Sequence, residues 1–221
     1  MKKPSIIQYL LSTCLLTIDE LNERYSKLPK NELKVVADTL FNEMDITVRL
    51  GYPFREMVHY TIGDGSKKGI KVNHDLYVAS KEFKVEIKYL RSFYSEVGTP
   101  TNRLPWSPVQ KDFDWIVEEL QQGNKGKTAF VVGWFNCGDC FASGIQLGKT
   151  KGKNPEAYPE RIAYFPFLNK VPGIAHINDL SYDYDCAYET LTIDLPNVEI
   201  SNLNCMFLGN ETDVFHFAIY Y

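Results

Sequence analysis

Two runs decide how this chain is read: Val72-Asn73-His74-Asp75-Leu76-Tyr77-Val78 and Phe83-Lys84-Val85-Glu86-Ile87-Lys88-Tyr89. Apolar residues alternate along both, which marks neighbouring strands with one buried face and suggests a β-hairpin. Phe83, Val85, Ile87 and Tyr89 form the apolar set, so Glu86 and Lys88 share the opposite face, their α-carbons roughly 6–7 Å apart. A two-residue turn centred on Ser80 and Lys81 sets Asp75 opposite Glu86, and one centred on Lys81 and Glu82 sets it opposite Lys88. Either register gathers Asp75, Glu86 and Lys88. A three-residue turn sets Asp75 opposite Ile87, on the wrong face unless a bulge corrects it.

Two carboxylates and an ammonium at one point suit a hard cation and a phosphate. Magnesium takes oxygen ligands and keeps several waters, so Asp75 and Glu86 with a substrate phosphate suffice. Lys88 would then orient or deprotonate an attacking water, or meet developing phosphate charge. An ordinary solvated strand face, with a cross-strand ion pair to Asp75, is the bland alternative. Glu-x-Lys occurs also at Glu32-Leu33-Lys34 and Glu82-Phe83-Lys84, where it falls at a helix start and at the turn. Only Glu86-Ile87-Lys88 lies within an alternating strand.

Asp75, ten intervening residues and then Glu86-Ile87-Lys88 resembles the PD-(D/E)xK nuclease superfamily, the restriction-endonuclease-like fold. His74 stands where that pattern usually has a proline. The resemblance implies an α/β restriction-endonuclease-like core of helix, three-strand meander, helix and strand over residues 31–135. An N-terminal helix in residues 1–30 would pack on that core, and residues 136–221 would form a β-rich extension of the same domain. It further implies a magnesium-dependent nuclease, with manganese as a substitute, that hydrolyses phosphodiester bonds as a DNA endonuclease. The alternatives are an inactive nuclease-fold binding or regulatory protein and a ribonuclease or toxin-like effector. Asp75 and Glu86 would be metal ligands and Lys88 the catalytic lysine. A helix-borne acid completes the metal site in that family, which makes Glu43 the third candidate ligand, with Asp38 or Asp45 as replacements. A homodimer is a further expectation by analogy.

From Glu32 to Leu50 the apolar residues Leu33, Val36, Ala37, Leu40, Phe41, Met44 and Val48 recur at three and four, which predicts one helix with one buried face. Gly51-Tyr52-Pro53 ends it, and Phe54–Ile62 reads as the first strand of the meander. Ser107-Pro108-Val109-Gln110 reads as a capping box opening a helix to about Gln122. Gln110 is either that cap or the polar helix residue that the resemblance places near the lysine. Residues 127–135 read as a buried strand. Farther on, strands are expected near 141–147, 161–168, 188–195 and 214–220, either extending the sheet or building a separate layer.

Charge is uneven. Nine Lys/Arg against four acids occupy residues 67–111, among them Lys67, Lys68, Lys71, Arg91 and Arg103, in a chain of net charge −4. Screening confines the influence of distant charge to about 10 Å, so a local basic surface can serve a polyanion such as DNA, although soluble strand edges would account for it as well. Residues 171–221 carry eight acids and no Lys or Arg, a candidate docking surface for a basic protein. Five cysteines argue against a disulfide framework and for a reducing cytoplasm, with Cys137 and Cys140 spaced as half a zinc site. Residues 5–28 read as an amphipathic helix packed on the core, and no apolar run has the length of a membrane span. With 221 residues, 44% of them hydrophobic, one compact domain is expected.

Overall fold

A computed structural model describes residues 4–54, 58–59, 74–90, 106–137, 141, 145–150, 155–169, 175–194 and 203–221. Helix α1, Ile6–Tyr25, starts where the Ser5 N–H donates to Gln8 Oε1 at 2.9 Å. Its buried face is Ile6, Leu10, Thr13, Cys14, Thr17, Ile18 and Leu21. Thr13 and Thr17 can lie on that face because their hydroxyls donate to the carbonyls of Tyr9 and Thr13, four residues back.

The single helix expected over 32–50 is two. Helix α2, Lys30–Val35, widens into a π-turn at Val36–Leu40, and Phe41 is extended before α3, Glu43–Gly51. Asn42 causes the break. Its side chain accepts the Met44 N–H at 2.8 Å while its own N–H donates to Asp45 Oδ2 at 2.9 Å, a reciprocal cap that competes with continued helix. After the break the buried face is Ile46, Thr47 and Leu50, so Leu40, Met44 and Val48, expected inside, are exposed. Phe54, expected to open a strand, is the buried end of an otherwise exposed 3-10 turn at Tyr52–Phe54.

Strands β1 (Val58–His59), β2 (Leu76–Val78) and β3 (Phe83–Leu90) form an antiparallel meander. Helix α4, Trp106–Gln121, then crosses to β4, Thr128–Phe135, which runs parallel to β3. The expected cap at Ser107 is not used. Trp106 is already helical, with its N–H donating to Gln146 Oε1, and Ser107 and Pro108 lie inside the helix.

Beyond β4, two of the expected strands are absent as such. Pro159–Ile162 is a short helix, α5, with proline at its start, and only Leu168–Asn169 (β5) of the 161–168 stretch is extended. The described part of 141–147 is helix at Phe141 and turn or coil at 145–147, with a lone bridge just beyond, between Gly148 and Ala157. Strand β6 (Ser181–Tyr182) pairs with β5 as a separate ribbon. Strands β7 (Thr190–Thr192), β8 (Asn204–Leu208) and β9 (Phe215–Tyr220) extend the main sheet, whose order is β1-β2-β3-β4-β9-β8-β7.

The result is a mixed α/β architecture in which one sheet is covered on both faces. Val85, Ile87, Tyr89, Ala129, Val131, Phe215 and Phe217 face α1, α2 and α3. Phe130, Val132, Trp134, Phe207 and Tyr220 face α4 and the segment around Phe165 and Phe167. All eight residues of β4 are buried, as expected of a strand with neighbours on both edges. Gly133 lets α3 close in, since a Cβ there would stand 2.9 Å from both Ile46 Cδ1 and Phe215 Cε1. That close approach sets α3, and with it Glu43, against the β3–β4 pair. Among the described residues no helix is long and apolar enough to cross a membrane.

Candidate functional site

The site grows from the β2–β3 hairpin. Its pairs are Val78 with Phe83, Tyr77 with Lys84 and Leu76 with Val85, the register that a turn centred on Ser80 and Lys81 requires. One further step sets Asp75 opposite Glu86. Val85, Ile87 and Tyr89 are buried against α1 and α3, so Glu86 and Lys88 emerge on the side of α4.

Where β2 begins, at Leu76, the described pairing of β3 with β2 stops, and carboxylates take over that edge. The Lys84 N–H donates to the Lys127 carbonyl, so alternate amides from Val85 onward point away from β4. Two of these find acids. Ile87 N–H donates to Asp75 Oδ2 at 2.8 Å, and Tyr89 N–H donates to Glu43 Oε2 at 3.1 Å. Backbone donors that would otherwise lack a strand partner thereby hold Asp75 and Glu43 at the same edge.

Lys88 stands between two layers. Its Nζ is 3.5 Å from Glu43 Oε2 on α3 and 3.5 Å from Asp112 Oδ2 on α4. His74 Nδ1 lies 3.0 Å from Glu86 Oε1, and its ring packs 5.2 Å from that of Trp115. Glu86 also contacts the Asp75 carboxyl. Glu43 and Asp112 thus flank one ammonium, Asp75 is near enough to act on it, and Glu86 stands beside Asp75.

Their electrostatics follow from that crowding. Burial raises the Glu86 pKa, and Asp75 adds to the rise against the opposing influence of His74. Burial likewise lifts Glu43 above the usual carboxylate range, despite Lys88 and the Tyr89 N–H. Asp112 is pushed up to about 6 by burial, with Glu86 and Asp75 reinforcing it and Lys88 opposing. For Lys88 burial works against the charge, but Glu43, Asp112 and Asp75 outweigh it and raise the pKa.

Asp75, Glu86, Lys88 and Glu43 are therefore brought together, and Gln110 is turned elsewhere. Its side chain accepts from Trp106 Nε1 and donates to Asp114 Oδ1 and the Tyr164 hydroxyl. Asp112 sits two residues on, about 200° round the helix, and is the α4 residue that reaches the lysine. Sequence reasoning missed it, although a signal existed. Asp112 stands three residues after Val109 and four before Ile116, flanking the buried stripe of α4 where a charge needs a partner. Asp45, weighed as a substitute for Glu43, is used by the Asn42 cap and the Arg49 pair instead.

Much of the expected basic surface, Lys67, Lys68, Lys71, Arg91 and Arg103, lies outside the described residues, as does Cys140. Lys84, which is described, is committed to Glu119, donating to both carboxylate oxygens at 2.8 Å. Among the described residues no group of three or more His, Cys, Asp and Glu side chains is disposed to hold a metal ion unaided. No family model matches the chain, and no curated protein or solved structure matches it.

Proposed function

We propose that the chain is a magnesium-dependent nuclease that hydrolyses phosphodiester bonds, acting as a DNA endonuclease at the cluster of Asp75, Glu86, Lys88 and Glu43. The observation that carries this reading is the convergence itself. Residue 43 comes from α3, residue 75 from just before β2, and residues 86 and 88 from the middle of β3, yet Asp75 and Glu43 both accept amides of β3, Lys88 lies 3.5 Å from Glu43, and Glu86 contacts Asp75. The element order supports it as well: helix α3, the meander β1–β2–β3, helix α4 and parallel β4 follow the sequence helix, three strands, helix, strand.

Carboxylate oxygens are the donors that a hard divalent cation takes. Glu43 and Asp112 share Lys88, and burial first, with neighbouring carboxylates adding to it, raises the pKa values of Glu43, Glu86 and Asp112, a cost of ionisation that a hard cation would relieve. A closed cage is not required, since magnesium needs one or two carboxylates and takes its other oxygens from water and phosphate. Asp75 and Glu86 would hold it, with Glu43 as a third ligand. Magnesium there would supply Lewis-acid polarisation of the phosphoryl group.

The chain's own groups do the rest. Lys88, only 18% exposed, presents a desolvated ammonium that can hydrogen-bond a non-bridging phosphate oxygen as charge builds on it, or orient the attacking water. Asp75, held by the Ile87 N–H through Oδ2, keeps its other oxygen directed by the backbone. His74 fixes one oxygen of Glu86.

One observation favours a second reading, a nuclease-like fold kept for binding. Asp75 and Glu43 each accept a backbone N–H that closes the edge of β3, a task they would perform without chemistry. Incubation of the purified protein with DNA and with RNA, with magnesium or manganese and with excess chelator, separates the readings. The nuclease reading expects metal-dependent cleavage that Asp75→Ala, Glu86→Ala and Lys88→Ala each reduce by at least about a hundredfold. Equal activity in the wild type and all three variants would refute it. Nucleic-acid binding without turnover, unaffected by chelator, would establish the second reading, and cleavage of RNA alone would identify a ribonuclease.

A further inference from the structure

We infer that Asp112 is the positioning residue for Lys88, holding its ammonium in the site when Glu43 turns to a cation. The residue lies outside the acid, acid, lysine pattern, and its role comes from geometry alone. The inference rests on the proposed cation site, and only the kinetic arm of its test needs cleavage.

Lys88 Nζ is equidistant, at 3.5 Å, from Glu43 Oε2 and Asp112 Oδ2. Both contacts are long for a charge-assisted hydrogen bond, which closes to about 2.7–2.9 Å. The ammonium is therefore shared between two acids and clasped by neither. The two acids are not equivalent. Glu43 Oε2 already accepts the Tyr89 N–H, and its side chain is 41% exposed at the rim. Asp112 is 20% exposed, and its buried Oδ2 makes no well-formed hydrogen bond among the described residues, the Lys88 ammonium at 3.5 Å being the donor that stands beside it. An orphaned buried carboxylate oxygen is costly, and one approach relieves it here: a shift of Lys88 towards α4.

A cation taken up by Glu43 would drive that shift. The Glu43 carboxylate cannot serve a divalent ion and the ammonium at full strength together, because the two positive charges repel. Lys88 has a flexible four-carbon stem, and without a second acid it would swing into solvent. Asp112 is that acid, and it lies with Lys88 on the α4 side of the sheet while Glu43 reaches in from α3. Closing the Lys88–Asp112 contact gives Oδ2 its missing bond and keeps Nζ beside the reacting phosphate.

Amine labelling of Lys88, followed by mass spectrometry at fixed pH, tests this without reference to activity. In the presence of magnesium, Asp112→Asn is expected to label at least about fivefold faster than the wild type, while Glu43→Gln and Asp112→Glu stay slow. A wild-type labelling rate in Asp112→Asn, with and without magnesium, would overturn the inference. Carbodiimide cross-linking of the unmutated protein keeps the test decisive should Asp112→Asn fail to fold. Magnesium should suppress the Lys88–Glu43 amide and preserve Lys88–Asp112, and the reverse would overturn it. If the wild type cleaves nucleic acid, Asp112→Asn should lower kcat by about tenfold or more with KM and magnesium dependence nearly unchanged, and Asp112→Glu should recover part of the rate. Full kcat in Asp112→Asn would also overturn it. Fast labelling of Asp112→Asn by a protein that never cleaves would uphold the role of Asp112 and refute the nuclease reading alone.

Discussion

Replacing Lys88 by methionine keeps an unbranched side chain one atom shorter and removes the one ammonium from a group of four acids. At 3.5 Å and an effective dielectric of about 20, each ion pair represents about 5 kcal/mol of gross attraction, against which the desolvation of the ammonium works. The Glu43 contact involves a carboxylate 41% exposed and contributes at most about 1 kcal/mol net. The Asp112 contact is more sheltered. Its loss leaves a carboxylate whose Oδ2 has no hydrogen bond, a cost somewhat below the roughly 3–5 kcal/mol typical of a fully buried pair. A net loss of about 2–3 kcal/mol follows, or a fall in Tm of roughly 5–10 °C for a chain of this size. Thermal unfolding followed by circular dichroism in excess chelator measures it. Because the penalty comes from unpaired acid, adding Asp112→Asn to Lys88→Met should return about half of the lost stability, a coupling that a double-mutant cycle isolates. An unchanged Tm in Lys88→Met, or no recovery in the double variant, would refute this account of the cluster.

Two further outcomes test the frame around the site. His216 is buried with Nε2 against the Asn210 carbonyl and Nδ1 without a hydrogen-bond partner among the described residues, and burial lowers its pKa from 6.5 to about 4. The unfolded chain therefore binds the extra proton between about pH 6.5 and pH 4. The contribution of His216, about 3 kcal/mol, is complete above the upper value and lost as pH falls to the lower one. An NMR titration of the ring reads this directly, and a His216 that titrates near 6.5 in the folded protein would sink it. Asn42→Ala removes the cap that starts α3 one residue before Glu43, and should cost about 1 kcal/mol in urea unfolding. The same change should weaken the Lys88–Glu43 contact, seen as a faster labelling of Lys88 in chelator; identical labelling and stability would show that the cap does not set Glu43.

Local pattern carried a good part of this fold. Alternation in residues 83–89 named the buried face of β3, and the continuous apolar run at 128–135 marked a strand enclosed on every side. Period alone misled where capping chemistry intervened. The stripe from Leu33 to Val48 reads as one helix until Asn42 and Asp45 form a reciprocal cap, and Leu40, Met44 and Val48 then face out. The C-terminal segments failed for a related reason, because Phe165, Phe167 and their neighbours are buried by aromatic packing against Trp134 and Phe207 without ladder pairing.

Sequence by itself determined that Glu86 and Lys88 share a face of β3, because the pleat acts over two residues, and it left Asp75 to the register of the turn. It did not determine their company. Glu43 is 46 positions from Tyr89 along the chain. It reaches that amide because Gly133 lets α3 settle against β4, and Asp112 reaches Lys88 because α4 packs over the other face. Gln110 and Asp112 are equally polar on paper. Only the rotation of α4, fixed by the burial of Val109, Phe113 and Ile116, decides which of them meets the lysine. Such meetings depend on how layers of side chains pack in three dimensions, and that information is spread over the whole core.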